Sequence, residues 1–232
     1  MSLTDSQRRI RRPFDHIDTW IFDLDNTLYP SSCRLYIEVE QRMARYIMDE
    51  LKLDLEGANA LRRRYFQEHG TTLRGLMNEY GVEPRRFLDY VHEIDVSAVQ
   101  PAPALGRALA ALPGRKLVFT NGTRRHAERV LERLDLGGHF AAIHDIVAID
   151  FQPKPNEAGY RVLIDAYAID PRRAAMVEDM ARNLPPAAAL GMTTIWLRGG
   201  PHDELDARHA GAIHHKIDDL TEFLAALTLA GG

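Results

Sequence analysis

Residues 19–30 read TWIFDLDNTLYP: Thr19, Trp20, Ile21 and Phe22, then Asp23, Leu24, Asp25, Asn26, Thr27, Leu28, Tyr29 and Pro30. A short apolar run ends here in two acids separated by one residue. The spacing predicts a buried strand over Thr19–Asp25 whose C-terminal end carries both carboxylates to the same side, because side chains two apart share a face of an extended chain.

Outward from this strand, the pattern changes twice. Tyr36, Val39, Met43, Ile47 and Leu51 recur every three or four residues, which predicts a helix from Ser31 to about Leu53 with one buried face. Further helical stretches follow at 56–69, 71–79 and 84–93, and no strand pattern interrupts residues 31–98. Pro101 and Pro103 mark a boundary. Beyond it, helices and strands alternate. A helix at 103–111 leads to a strand at 116–121. A helix at 123–134, with Thr123 as N-cap, leads to a strand at 143–149. Then come a helix at 156–168, a strand at 174–179, a short helix ending near Gly191, a strand at 193–198, a weak strand near 213–217 and a final helix. Alternation of this kind implies right-handed βαβ units and a parallel sheet covered on both faces. The expected fold is therefore α/β: a Rossmann-like, three-layer αβα core over 15–30 and 100–232, with an all-helical cap over 31–99 inserted after the first strand. Tyr29–Ser31 and Val99–Pro103 are the two cap links. Arg8, Arg9, Arg11 and Arg12 make residues 1–14 a flexible basic tail.

Composition narrows the function classes. The chain has 232 residues, 45% hydrophobic and 27% charged, and a net charge of −4. That balance gives no electrostatic case for a nucleic acid polymer or an anionic membrane. No apolar run reaches the ~18–20 residues that span a bilayer, and the N-terminus lacks the apolar segment of a secretory signal. Cys33 is the single cysteine, so neither an internal disulfide framework nor a cysteine zinc site is available. A reducing cytoplasm is the expected location. Of 29 basic residues only Lys52, Lys116, Lys154 and Lys216 are lysines. A lysine retained in so arginine-rich a chain points to a need for a compact ammonium.

Ligands of open parallel sheets bind at the C-terminal edge of the strands. The first strand delivers Asp23 and Asp25 there. The second delivers Thr120, Asn121 and Gly122, the loop after the third delivers Lys154, and the fourth delivers Glu178 and Asp179. Asp23 and Asp179 suit a hard divalent cation such as Mg²⁺. Asp23 can attack phosphorus in line to give an aspartyl-phosphate. Asp25 can protonate the leaving alcohol and then activate water. Lys154 and Thr120 can neutralise phosphoryl oxygens, and backbone N–H groups near Leu24 and Gly122 can complete a phosphate cradle with Asn121. Thr27 reads as a stabiliser of the turn after the strand.

These motifs resemble the haloacid dehalogenase-like hydrolase superfamily. FDLDNTLY (22–29) is similar to its first motif, VFTNG (118–122) to its second, Lys154 to its third and VEDMARN (177–183) to its fourth. The resemblance implies Asp23 as nucleophile, Asp25 as acid and base, and Mg²⁺ on Asp23, the Asp25 backbone carbonyl and Asp179. Two departures stand out. Asn183 follows Glu178–Asp179 where a further acid is usual, which leaves Glu178 and Asn183 as candidates for the metal's surroundings. Pro185–Pro186 also shortens the next helix. DLDNTLYP, HGTTLRGL (69–76) and YVHEID (90–95) resemble the pyrimidine 5′-nucleotidase branch, which implies a small nucleoside monophosphate as substrate. A cap of this kind selects the leaving group, with Tyr29, Arg34, Thr72, Arg74 and His92 as candidates. His126 is open between a site role and a structural one.

The expected function is thus an Mg²⁺-dependent phosphate monoester hydrolase, a 5′-nucleotidase. The alternatives are a phosphatase for phosphoglycolate or a sugar phosphate, a phosphomutase, or a phospho-accepting or ligand-binding module without catalysis. Dehalogenation needs neither Asp25 nor a metal, so the acids argue against it.

Overall fold

The computed structural model describes residues 12–200 and 207–228. The expected basic tail lies outside these residues except for Arg12–Phe14, a single 3₁₀ turn. Phe14 is buried, its ring stacked on Trp20 at 6.0 Å between centroids.

Six parallel strands form one sheet in the order β3-β2-β1-β4-β5-β6. They are β1 Thr19–Phe22, β2 Arg115–Phe119, β3 Ala142–His144, β4 Ala174–Glu178, β5 Thr193–Leu197 and β6 His215–Ile217. Every residue of β1 and β4 is buried, as expected of central strands with helices on both faces. The fold is the α/β Rossmann-like architecture read from the sequence, with a helical cap inserted after the first strand. The strand order reverses direction at β1, between β2 and β4, so a crevice opens at their C-terminal ends. Register fixes what meets there. Phe22 lies opposite Val118 on one side and Val177 on the other, so the residues that follow each strand emerge together.

Four helices occupy the insert: α1 Leu35–Leu51, α2 Leu55–His69, α3 Thr72–Tyr80 and α4 Pro84–Val91. Each start has a local cause. Asp54 caps α2 by accepting from Gly57 N at 2.8 Å, and Thr71 caps α3 by accepting from Arg74 N at 3.2 Å. Glu83 caps α4 with its carboxylate, and Pro84 opens that helix, the position where proline loses no hydrogen bond. α2 and α3 pack closely at Gly75, where an added Cβ would lie 2.2 Å from the Tyr65 ring.

The core helices are α5 Pro103–Ala111, α6 Arg124–Leu134, α7 Glu157–Tyr167, α8 Leu184–Ala189 and α9 Leu220–Thr228. One expectation is corrected: β3 ends at His144 rather than extending to 149. Asp145 ends it, its two carboxylate oxygens accepting from Arg124 N at 2.9 Å and Ala148 N at 3.0 Å. This side-chain-to-backbone closure competes with the strand ladder. Among the described residues no helix is long and apolar enough to cross a membrane.

Candidate active site

At the end of β1, Asp23 N donates to Val177 O at 3.0 Å and ties the first carboxylate beside β4. The chain then turns. Leu24 O accepts from Thr27 N and Leu28 N, and Asn26 adopts φ 60°, a left-handed conformation that asparagine tolerates. Thr27 Oγ1 braces this turn against the fourth strand: it lies 3.3 Å from Asp23 Oδ2 and accepts from Asp179 N at 3.1 Å.

Lys154 reaches the same point from the loop after β3. Its Nζ donates to Asp23 Oδ1 at 2.6 Å, Glu178 Oε2 at 2.8 Å and Phe119 O at 2.9 Å. All three donor positions of the ammonium are used, and only 1% of the residue is exposed. Asn121 holds the loop in place, its Oδ1 accepting from Lys154 N at 2.9 Å. Glu178 is fixed on its other oxygen by Asn183 Nδ2 at 2.9 Å. Asn183 therefore acts on Glu178, and its own carbonyl accepts from the buried Tyr160 hydroxyl. Trp196 Nε1 donates to Asp179 O at 2.8 Å.

Asp23, Glu178 and Asp179 offer carboxylate oxygens that all lie within 4.8 Å of one another, and all three residues are buried. Burial, and next the charge of Glu178, push the Asp23 carboxyl up to about 7 despite the pull of Lys154. Burial and Glu178 also hold Asp179 well above the usual carboxylate range. Lys154 is raised: burial alone would lower it, but Asp23 and Glu178 outweigh that. One ammonium faces three crowded acids, so the set carries excess negative charge in a low-dielectric place. Oxygen donors of this kind fit a hard divalent cation. Asp23 keeps 7% exposure and faces the cavity.

Asp25 points elsewhere. Its Oδ1 accepts from Tyr29 OH at 2.7 Å and lies 2.9 Å from His126 Nε2. Burial acts to raise this carboxyl, but His126 and the hydrogen bonds from His126 and Tyr29 bring it below its ordinary value. Its side chain thus stands apart from the three clustered acids.

A cavity of about 310 Å³ lies between cap and core. Its floor includes Asp23, Asp25, Thr120, Lys154 and Asp179. Its cap wall includes Tyr36, Met43, Phe66, Phe87, Thr72 and His92. Within that wall Arg62 Nη1 lies 2.5 Å from Glu40 Oε1. Of the cap candidates, Thr72 and His92 line the cavity. Tyr29 is buried beneath Asp25. Arg74 borders a separate surface groove with Arg182 and Pro155. Arg34, at φ 58°, occupies the N-cap position of α1 without a side-chain capping hydrogen bond and does not line the cavity. Gly122 N donates to Thr120 Oγ1 at 2.9 Å, so that N–H is taken up within its own turn. Leu24 is fully buried.

Sequence reading left His126 undecided, placed Tyr36 only on a buried helix face, and passed over Glu40 and Arg62. His126 precedes Val130 by one turn on the buried stripe of α6, the signal that could have placed it.

A profile described as haloacid dehalogenase-like hydrolase matches residues 17–191. The chain is 29% identical over 136 residues to phosphate metabolism protein 8 of Saccharomyces cerevisiae, covering 53% of this chain and 42% of that one. It thus spans less than half the length of the yeast relative. Glyceraldehyde 3-phosphate phosphatase of Pyrococcus furiosus is 24% identical over 228 residues, 91% of this chain and 93% of its own. Phosphoglycolate phosphatase of Rhodospirillum rubrum is 28% identical over 193 residues, 78% of this chain and 79% of its own. Among solved structures, the haloacid dehalogenase-like protein SP0104 of Streptococcus pneumoniae superposes with a TM-score of 0.60 at 15% identity, covering 90% of this chain and 98% of that one. YfnB of Bacillus subtilis, bound to magnesium, superposes at 0.56 and 15% identity, with 91% and 98% covered. The match over residues 17–191, together with the shared fold, shows that the chain belongs to the haloacid dehalogenase-like hydrolase family.

Proposed function

We propose that this protein is a magnesium-dependent phosphatase that hydrolyses a phosphate monoester through an aspartyl-phosphate on Asp23, and that its favoured substrate is a pyrimidine nucleoside monophosphate. One observation carries the reaction class: Lys154 Nζ sits 2.6 Å from the Asp23 carboxylate, with Asp179 in the same cluster of acids. That arrangement supports a reading in which a nucleophilic oxygen lies beside one fixed cation and a second cation is held by the acids. The names of the Pyrococcus and Rhodospirillum relatives support it.

In this reading Asp23 and Asp179 would hold the ion through their carboxylates. Asp25, whose side chain is engaged with Tyr29 and His126, would contribute its main-chain oxygen. Bound Mg²⁺ supplies positive charge that offsets the phosphoryl oxygens.

The chain's own residues do the rest. An Asp23 oxygen attacks phosphorus, and the bond from phosphorus to the leaving oxygen breaks. Protonated Asp25 gives its proton to that oxygen, so an alcohol departs and Asp25 becomes a carboxylate. Asp25 then takes a proton from water. The water oxygen attacks phosphorus, the bond to Asp23 breaks, and inorganic phosphate leaves. An arriving phosphoryl dianion raises the Asp25 carboxyl from its lowered value, because like charge disfavours ionisation. The Thr120 hydroxyl donates to a phosphoryl oxygen, and the Lys154 charge, held at Asp23, offsets the negative charge there.

The cap supports the narrower claim. Two aromatic residues, Tyr36 and Phe66, line the cavity and suit a flat ring. The Glu40–Arg62 pair presents an acceptor beside a donor, which complements the donor–acceptor edge of a pyrimidine. A carboxylate leaving group, as in phosphoglycolate, would find Arg62 already neutralised by Glu40.

The test is phosphate release from p-nitrophenyl phosphate with Mg²⁺ or with EDTA, then a screen of UMP and CMP against AMP, phosphoglycolate and sugar phosphates. Activity should require Mg²⁺ and vanish in D23N with the fold retained. Full activity in EDTA defeats the metal assignment, and a preference for phosphoglycolate removes the nucleotide label.

A further inference from the structure

The two oxygens of Asp25 are treated unequally. Oδ1 is anchored twice, by Tyr29 at 2.7 Å and by His126 at 2.9 Å, while Oδ2 carries no hydrogen bond within the described residues and the residue lines the cavity. Tyr29 belongs to the same turn as Asp25. His126 comes from α6, and its side chain has no exposure. With Asp25 as acceptor, the proton lies on His126 Nε2.

His126 in turn has a cap residue over it. The ring of His92, just past α4, stacks on the His126 ring at 4.6 Å between centroids and 13° between planes. His92 Nδ1 lies 3.1 Å from Thr123 Oγ1, the group that caps α6 and accepts from His126 N at 3.3 Å. Arg129 of α6 donates to His92 O at 3.0 Å and Ile94 O at 2.6 Å, and Arg133 donates to Val99 O at 3.2 Å. The segment from His92 to Val99, which leads into the second cap link, is thus pinned along α6, with the His92 ring against His126 at the end nearest the catalytic acids. Gly122 leaves room for this: a Cβ there would stand 3.2 Å from His126 Cδ2 and 3.7 Å from His92 Nε2.

We propose that His126 is a positioning residue that aims Asp25 Oδ2 at the leaving oxygen, and that His92 stacked upon it makes this aim depend on a seated cap. The inference rests on Asp25 as the acid of the proposed reaction. An unanchored carboxylate loses its in-line geometry in rotamer freedom, and small misplacements of a proton donor are costly. A cap that has swung away would leave His126 uncovered and the acid loosely held, so proton transfer would be matched to a closed, dry cavity.

Two aryl phosphates of similar size separate this role from a structural one. p-Nitrophenolate leaves without help, whereas phenolate, with a conjugate acid near 10, needs the proton. The readout is the ratio of kcat/KM for p-nitrophenyl phosphate to that for phenyl phosphate, since kcat/KM reports the step in which the leaving group departs. D25N should raise the ratio by about 100-fold or more, the size of general acid catalysis. H126F should raise it at least ~10-fold, and H126Q, whose amide can donate from near the Nε2 position, should stay within about threefold of the parent. H92A should raise it and H92F, which restores a ring, should bring it back. If D25N raises the ratio but H126F does not, the inference falls and the acid reading stands. If D25N leaves the ratio unchanged, both fall. Should H126F fail to fold by circular dichroism, H92A against H92F decides: equal ratios overturn the coupling to the cap, and a raised ratio in H126Q overturns the aim.

Discussion

Arg182, on the loop after β4, lays its guanidinium 4.5 Å from the centroid of the Phe66 ring and donates from Nη1 to the Phe66 carbonyl at 3.0 Å. This joins the core, three residues past Asp179, to the cap helix that lines the cavity. A partly desolvated cation over a ring contributes about 0.5–2 kcal/mol, and the hydrogen bond about 1 more. Arg182→Ala should therefore shift the cap toward open states. KM for phosphomonoesters should rise about 3–10-fold with a smaller change in kcat, and the thermal midpoint should move little. Steady-state kinetics with p-nitrophenyl phosphate check this, and an unchanged KM would show that the contact does not hold the cap.

The Glu40–Arg62 pair yields a prediction on selectivity. Arg62→Met removes the donor and strands Glu40 in the cavity wall. Loss of a paired polar contact to a ligand costs about 1.5–3 kcal/mol, so kcat/KM for UMP should fall by roughly 10–100-fold. p-Nitrophenyl phosphate has no edge to read and should lose less than about threefold. Equal losses on both would assign Arg62 to holding the cap together.

Much of this was legible in the chain. The carboxylates at 23 and 179 and Thr120 were read from strand ends, and Lys154 from the loop after the third strand, because a parallel sheet delivers its C-terminal residues and loops to one edge. The cap was legible because periodicity of 3.6 ran without interruption from residue 31 onward. Tyr36 was legible only as one position of a buried stripe, and Glu40 and Arg62 were not legible. The latter two sit on amphipathic helices where a charged residue facing inward looks like one facing water, and only tertiary packing separates the two. Asn183 was read only as a candidate for the metal's surroundings; that its amide goes to Glu178 is set by side-chain direction, which spacing does not encode. The extent of β3 was misjudged because the apolar run to Ile149 continues past the point where Asp145 closes a turn.

Gly75 offers a test of cap packing. An alanine methyl there would meet the fully buried Tyr65 ring at 2.2 Å, well inside contact distance, and Tyr65 is tied through its hydroxyl to Glu79. Relief requires α2 and α3 to separate. Overpacking of this sort costs about 1–3 kcal/mol or more, a fall of roughly 3–10 °C in thermal midpoint for a chain of this size. Pairing G75A with Y65A should recover part of the loss, since the two sites are in contact. Additive losses in the double variant would mean that the clash relaxes elsewhere.

The crowding of acids predicts a pH-dependent gain in stability on removing the nucleophile. In metal-free protein the Asp23 carboxyl is pushed up to about 7 by burial and by Glu178, against an ordinary value of 3.8. An acid whose folded value is raised binds more protons in the folded state between those two values, so its contribution to stability declines as pH rises from about 4 to 7. Above pH 7 the folded protein bears the full cost of an ionised Asp23, and below pH 4 it bears none. D23N removes that cost. In EDTA its thermal midpoint should exceed the parent's at pH 8 by about 2–8 °C, the equivalent of about 1–3 kcal/mol, and the two should converge near pH 4.5. Added Mg²⁺ should reverse the order at pH 8, because a bound cation stabilises the parent and finds a weaker site in the variant. A variant no more stable than the parent in EDTA at pH 8 would show that Lys154 alone balances the three acids, and the argument that the site calls for a second cation would lose its support.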